Sequence, residues 1–138
     1  MQLKLMYGDN LARRWGEVSP MVDQALLHGS GSVSTYGLFL QCVTEDAQCW
    51  IDEDEYGQIK GVAITRFEFL ESTKLLAIVV TTCEDWFVGG PEVLELFEEF
   101  ALDNSCNEVR IYGRKGWKRV LEKYNYFEPY TVLTKRLT

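Results

Sequence analysis

An apolar run, Leu75–Cys83 (LLAIVVTTC), passes through Glu84–Gly90 (EDWFVGG) into an acidic helical pattern, Pro91–Asp103 (PEVLELFEEFALD). A strand that feeds through glycines into a helix N-terminus can hold an anion, because the first amides of a helix have no partner within it. The same stretch argues against that use: from Leu75 to Val109 there are eight carboxylates and no Lys or Arg. Cys83 would make a nucleophile only with a base beside it, and the lone His28 has no Asp partner in view. Cys42, Cys49, Cys83 and Cys106 form no C-x-x-C pair, so no metal site is expected. They read as free thiols of a reducing compartment.

The charge is unevenly spread. The net value of −7 argues against general nucleic-acid binding. Residues 110–138 hold eight basic and two acidic residues, +6, and residues 1–109 hold six basic and nineteen acidic residues, −13. This describes either a basic patch on an acidic body or a solvated helix face followed by a strand edge guarded by Lys135 and Arg136.

The elements that must position these residues follow from hydrophobic spacing. Residues 2–7 alternate weakly and are expected to form a first strand. A helix is expected from Leu11 towards Val18, and a second after Ser19-Pro20, with proline at its first position and His28-Gly29 at its end. Ser34 caps a further helix with Leu38, Phe39, Cys42 and Val43 inward. Three antiparallel strands follow, Gln48–Asp52, Gln58–Leu70 and Leu75–Cys83, joined by turns at Asp52–Gly57 and Glu71–Lys74. The continuous apolar character of Leu75–Cys83 marks it as central. The Pro91–Asp103 helix turns Val93, Leu94, Leu96, Phe97, Phe100 and Ala101 inward, with glutamates at its positive end. Next come Glu108–Tyr112, a helix from about Lys115 with Trp117, Val120, Leu121 and Tyr124 inward, and a last strand near Pro129–Leu137. Trp86 and Phe87 either line a groove or fold back onto the sheet.

At 138 residues and 46% hydrophobic content, one folded domain spanning residues 1–138 is expected. No apolar run approaches the roughly 20 residues of a membrane span. The start, MQLKLMYGDN, reads as no signal peptide, so a cytoplasmic location is expected.

This element order resembles the GCN5-related N-acetyltransferase (GNAT) superfamily, and in particular small GNAT-like proteins of tailed bacteriophages. The residues carrying the likeness are Gln48–Asp52, then GQIKGVAIT, the Glu92–Ala101 helix, and the tail EVRIYGRKGWKRVLEKYNYFEPYTVLTKRL. The resemblance implies an α+β fold: a mixed, mostly antiparallel sheet of six to seven strands flanked by four helices, in the order β-α-α-β-β-β-α-β-α-β. It implies acetyl-CoA lying where Leu75–Cys83 and Glu108–Tyr112 splay apart, with the pantetheine arm near Thr81–Cys83, at Thr82 and Cys83 above all. The pyrophosphate would meet the amides of Val88, Gly89 and Gly90, assisted by Arg114 and Lys118 from the next helix. In that register Trp86 stands at the family's Arg or Gln, Pro91 at its last Gly or Ala, and Leu121 at its catalytic tyrosine. Tyr124 is the nearby candidate acid and Glu84 the candidate base, the latter equally a solvated turn residue.

Two functions therefore stand. One is transfer of acetyl from acetyl-CoA to an amine, on a small molecule or a protein, by direct attack. The other is a GNAT-shaped phage protein without catalysis, serving structure, assembly or host interaction inside a bacterial host. No nucleic acid and no membrane are expected as partners, and a homodimer through the final strand is expected.

Overall fold

The computed structural model describes residues 3–29, 31–83, 85–113 and 116–138. Five strands form one sheet: β1 (Leu3–Met6), β2 (Ala47–Glu53), β3 (Ile59–Phe69), β4 (Lys74–Thr81) and β5 (Glu108–Ile111), side by side in chain order. β1 through β4 are antiparallel neighbours, and β5 joins β4 in parallel. α1 (Gly8–Leu26) and α2 (Thr35–Val43) lie on one face. α3 (Asp85–Val88), α4 (Glu92–Asp103) and α5 (Trp117–Glu122) lie on the other. Among the described residues the fold is α+β with five strands and five helices, where six to seven strands and four helices were expected.

β4 is central, as its apolar run demands. Leu75, Leu76, Ala77 and Ile78 are almost fully buried between the two helical layers. α4 presents Val93, Leu94, Phe97 and Ala101 to the sheet. Trp50 of β2 meets Phe97 and Phe100 of α4 edge-on, with ring centroids 5.4 and 5.0 Å apart. On the opposite face Leu11, Val18 and Val22 make the buried stripe of α1, and Leu38 and Cys42 that of α2. The Ser34 hydroxyl accepts from the Gly37 N–H at 3.0 Å, the cap its type and position predict.

Four expectations need correction. The two helices expected around Ser19-Pro20 are one, with Pro20 inside it. A proline within a helix costs about 3 kcal/mol. Val18 and Val22, fully buried on either side, repay about 1.5–3 kcal/mol each, so the stripe carries the helix across the break. Val43, expected inward, is exposed at the end of α2. The loop Glu84–Gly90 contains α3. The last strand, Pro129–Leu137, forms no ladder: residues 126–138 carry no helix or strand. In a strand, Val132 and Leu133 would point to opposite sides, as would Lys135 and Arg136, so the segment would offer no single apolar face to bury.

Candidate functional site

The β4–β5 ladder runs only from Leu75 opposite Glu108 to Ile78 opposite Ile111. The Tyr112 N–H donates to the Ile78 carbonyl at 3.2 Å and closes it. β4 continues to Thr81 against β3 alone. β5 is paired with β4 along its whole length, so no splaying of Leu75–Cys83 from Glu108–Tyr112 is seen within the ladder; beyond Ile78, β4 outruns β5. The β3–β4 register slips at the same place: Thr65 faces Ile78 and Ile64 faces Val80, so Val79 is an extra, bulged residue. Bulges re-aim a strand and terminate pairing, which is what β4 does here.

Thr81 is opposite Ala63, whose side chain belongs to the α3–α5 face of the sheet. Its hydroxyl is buried and has no hydrogen-bond partner among the described residues. A buried orphan of this kind costs about 1–3 kcal/mol. Thr82, by contrast, is occupied: its N–H donates to the Val62 carbonyl at 3.0 Å, and its hydroxyl accepts from the Val62 N–H at 2.9 Å. Cys83 is half-buried, and its carbonyl accepts from the Trp86 N–H.

Trp86 and Phe87 fold back; they do not line an open groove. Both are buried, at 5% and 2% exposure. The Trp86 ring lies on Gly61 of β3, where a Cβ would collide with it. Phe87 meets Trp117 of α5 edge-on at 5.2 Å. Trp117 in turn lies over Gly113, which explains the spacing of the GRKGW segment: the first glycine makes room for the tryptophan. Two aromatic side chains from α3 thus plug the end of the sheet beside the last residues of β4.

The glycine loop is built as a turn. The Gly89 N–H donates to the Asp85 carbonyl at 2.9 Å. Gly90 has φ +149°, which side chains rarely adopt, and the Glu92 carboxylate packs where its Cβ would be. Val88 is exposed. Pro91 precedes α4 and offers no N–H, and α4 has no side-chain cap. Lys118 is exposed and pairs with Glu128 at 3.6 Å. Arg114, like Glu84, lies outside the described residues.

Tyr124 follows α5, half-buried against the α3–α5 core, with the Lys123 ammonium 5.2 Å above its ring. It lies in the turn that ends α5, its N–H donating to the Leu121 carbonyl at 3.0 Å. Thr82 and Cys83 lie at the end of β4, and Tyr124 packs on the same core cluster as Cys83, Phe87 and Trp117. Tyr126 gives its hydroxyl to Glu98 of α4 at 2.7 Å, and burial together with that carboxylate pushes its pKa well above the ordinary value.

An acidic rim occupies the same end of the sheet. Asp52 stands opposite Gly61, under Trp86, and the β2–β3 turn carries Asp54 and Glu55. Arg14 of α1 anchors that turn, donating to Glu53 at 2.7 Å and to the Gly57 carbonyl at 2.7 Å. A hollow of about 280 Å³ lies beside the turn, lined by Lys4, Glu53, Asp54, Glu55 and Gly57. It does not coincide with the end of β4, and its polar lining reads as a solvated notch. No group of three or more metal-ligating side chains comes together among the described residues.

The whole arrangement matches solved structures over nearly its full length. A predicted acetyltransferase with acetyl-CoA from Clostridium acetobutylicum superposes with a TM-score of 0.70 at 14% identity, covering 99% of this chain and 97% of that one. The fold is that of the GNAT acetyltransferases. Glucosamine-6-phosphate N-acetyltransferase from Arabidopsis thaliana shares the GNAT fold at TM-score 0.65 and 18% identity, with 100% of both chains covered. An aminoglycoside acetyltransferase from an uncultured soil metagenomic sample, in complex with sisomicin, gives 0.67 and 11%, covering 99% and 96%. No protein-family model and no curated protein sequence matches this chain. No described helix is long and apolar enough to cross a membrane.

Sequence reasoning put Thr81 beside the expected arm, but it missed that the Thr81 hydroxyl is orphaned and that the strand bulges at Val79. The signal was faint: two threonines ending an aliphatic run that had no polar residue before them.

Proposed function

We propose that this chain binds acetyl-CoA along the free edge of β4 and presents its acetyl group to an amine, which attacks directly without a covalent enzyme intermediate. The observation that carries this reading is that β4 outruns β5 by three residues, with Val79 bulged and the Thr81 hydroxyl orphaned at that point. An extended, amide-bearing arm fits an open strand edge, because it satisfies the unpaired backbone groups there. The orphaned hydroxyl is the kind of group a ligand amide or carbonyl completes. Bound acetyl-CoA would supply the thioester.

In this reading Thr82 and Cys83 flank the arm, and Val88, Gly89 and Gly90, with Arg114 and Lys118, face the phosphates. Glu84 takes the amine proton, and Tyr124 is the acid. The Asp52, Asp54, Glu55 and Asp85 carboxylates would draw a cationic acceptor, a small amine or a lysine side chain, to this end of the sheet.

A second reading has its own support: a GNAT-fold protein without cofactor, serving structure, assembly or host interaction, as the likeness to phage proteins suggests. The Gly89 N–H is spent on Asp85, Pro91 has none to give, and the Glu92 carboxylate sits against Gly90, so the loop in this conformation opposes a pyrophosphate.

Calorimetric titration with acetyl-CoA separates the two. Binding that weakens at least tenfold in Thr81→Val supports the first reading. Absence of heat at millimolar acetyl-CoA removes it and leaves the second. A thiol-release screen over amines then reports turnover.

A further inference from the structure

α3 lies as a bar across the end of β4. On one side of β4 its Trp86 ring rests on Gly61 of β3. On the other side its Phe87 ring meets Trp117 at 5.2 Å, and Trp117 is itself seated on Gly113, just past the end of β5. Between these anchors run the last residues of β4, which are paired with β3 and, among the described residues, have no β5 beside them. Gly61 and Ala63 share one face of β3, and Ala63 is the partner of Thr81. The tryptophan therefore covers the face to which the orphaned Thr81 hydroxyl belongs.

α3 does not hold this position by its own strength. It is a single turn of four residues, closed by the Gly89 N–H on the Asp85 carbonyl. One turn fixes several backbone angles for very few hydrogen bonds, so it is unfavourable alone. What fixes it is aromatic: Trp86 and Phe87 are buried against Gly61 and Trp117. The chain bends directly after it, at Gly90. An element held by a few side-chain contacts opens locally at lower cost than the sheet beneath it.

On the basis of the acetyl-CoA reading above, we propose that α3 is an autoinhibitory latch, and that cofactor binding requires it to lift. Closed, it covers the end of β4, spends the Gly89 N–H on Asp85 and leaves the Glu92 carboxylate against Gly90. Lifted, its turn unwinds, the Gly89 N–H is released, and Gly90 turns away from the Glu92 carboxylate. The closed and lifted states differ by the seating of Trp86 on Gly61, so crowding that seat favours the lifted state. Measured affinity is the intrinsic affinity reduced by the fraction of molecules that are lifted. A substitution at Gly61 that destabilises the closed fold therefore tightens binding.

Calorimetric titration with acetyl-CoA of the wild type, Gly61→Ala, Trp86→Leu and the double variant tests this, together with acrylamide quenching of tryptophan fluorescence. Gly61→Ala is expected to bind about fivefold or more tightly than the wild type. Trp86→Leu, which empties the seat without crowding the strand, should also tighten binding, and Gly61→Ala should add nothing further in that background. Acetyl-CoA should make the wild-type tryptophan fluorescence easier to quench, as Trp86 leaves its buried seat, and should not do so in Trp86→Leu. Equal or weaker binding by Gly61→Ala overturns the latch and leaves cofactor binding in place. So does tryptophan that becomes better shielded as acetyl-CoA is added. Absence of heat from all four proteins at millimolar acetyl-CoA removes the cofactor reading and the latch with it.

Discussion

Replacing Gly61 with alanine tests whether the α3 plug is held by direct contact between one glycine and one tryptophan. Gly61 lies in β3, opposite Asp52, at an ordinary strand conformation. Alanine is therefore allowed by the backbone, and on its own would stabilise the strand by about 0.5–1 kcal/mol relative to glycine. The added carbon would overlap the Trp86 ring, with two further ring carbons at 3.1 and 3.3 Å. Trp86 is 5% exposed and belongs to the same core cluster as Phe87, Leu94 and Phe97, so the ring has little room to swing aside. Overpacking of this kind costs about 1–3 kcal/mol. Trp86→Ala alone should cost about 3–5 kcal/mol. In that background the methyl meets no ring, and Gly61→Ala should turn neutral or stabilising. The coupling between the two positions is then about 1–4 kcal/mol, measurable by denaturant unfolding of the four proteins followed by circular dichroism. Equal cost of Gly61→Ala with and without Trp86 would refute the contact as its cause.

Three other outcomes are expected. Thr81→Val removes a buried, unpartnered hydroxyl at almost constant shape and should stabilise the free protein by about 1 kcal/mol; a lower melting temperature would show that the hydroxyl is satisfied after all. Lys4 and then Arg14 hold the Glu53 carboxyl below its ordinary range, and Arg14 does the same to Glu17. Their stabilisation is complete above the ordinary carboxylate pKa of about 4.3 and is lost as pH falls through the depressed folded values. The unfolding midpoint should drop on acidification below about pH 4.3, and less steeply in Glu53→Gln; parallel curves would remove this ion cluster as the source. Burial pushes the Cys42 thiol up to about 11 and raises Cys49 further, with Cys42 alongside adding to it. An aromatic disulfide reagent should therefore label half-buried Cys83 first, and the three buried thiols only on unfolding; rapid reaction of two or more thiols in the native protein would contradict the burial.

Legibility in the sequence followed the range of the forces involved. α4 was expected over Pro91–Asp103 and runs Glu92–Asp103, because its stripe and its glutamates repeat with the helical period. The β2–β3–β4 meander was equally plain from alternation and turn residues. Pro20 misled because a local preference was outweighed by burial on both sides of it. α3 has four residues, too few to show a period, and its stability comes from Gly61, 25 residues away, and from Trp117. The Val79 bulge is a matter of register between two strands and leaves no mark on either alone. At the candidate site, the family resemblance pointed to the end of β4, but nothing in the sequence revealed that the Gly89 amide turns back to Asp85.

The parallel docking of β5 has a consequence for synthesis. β2, β3 and β4 are joined by short turns and can zip together as they leave the ribosome. β5 arrives only after a 26-residue crossover, residues 82–107. Until then Leu75, Leu76, Ala77 and Ile78 form a bare aliphatic border on the nascent sheet. A stalled or clipped chain ending before Glu108 would keep that border permanently, and such fragments should accumulate as insoluble material.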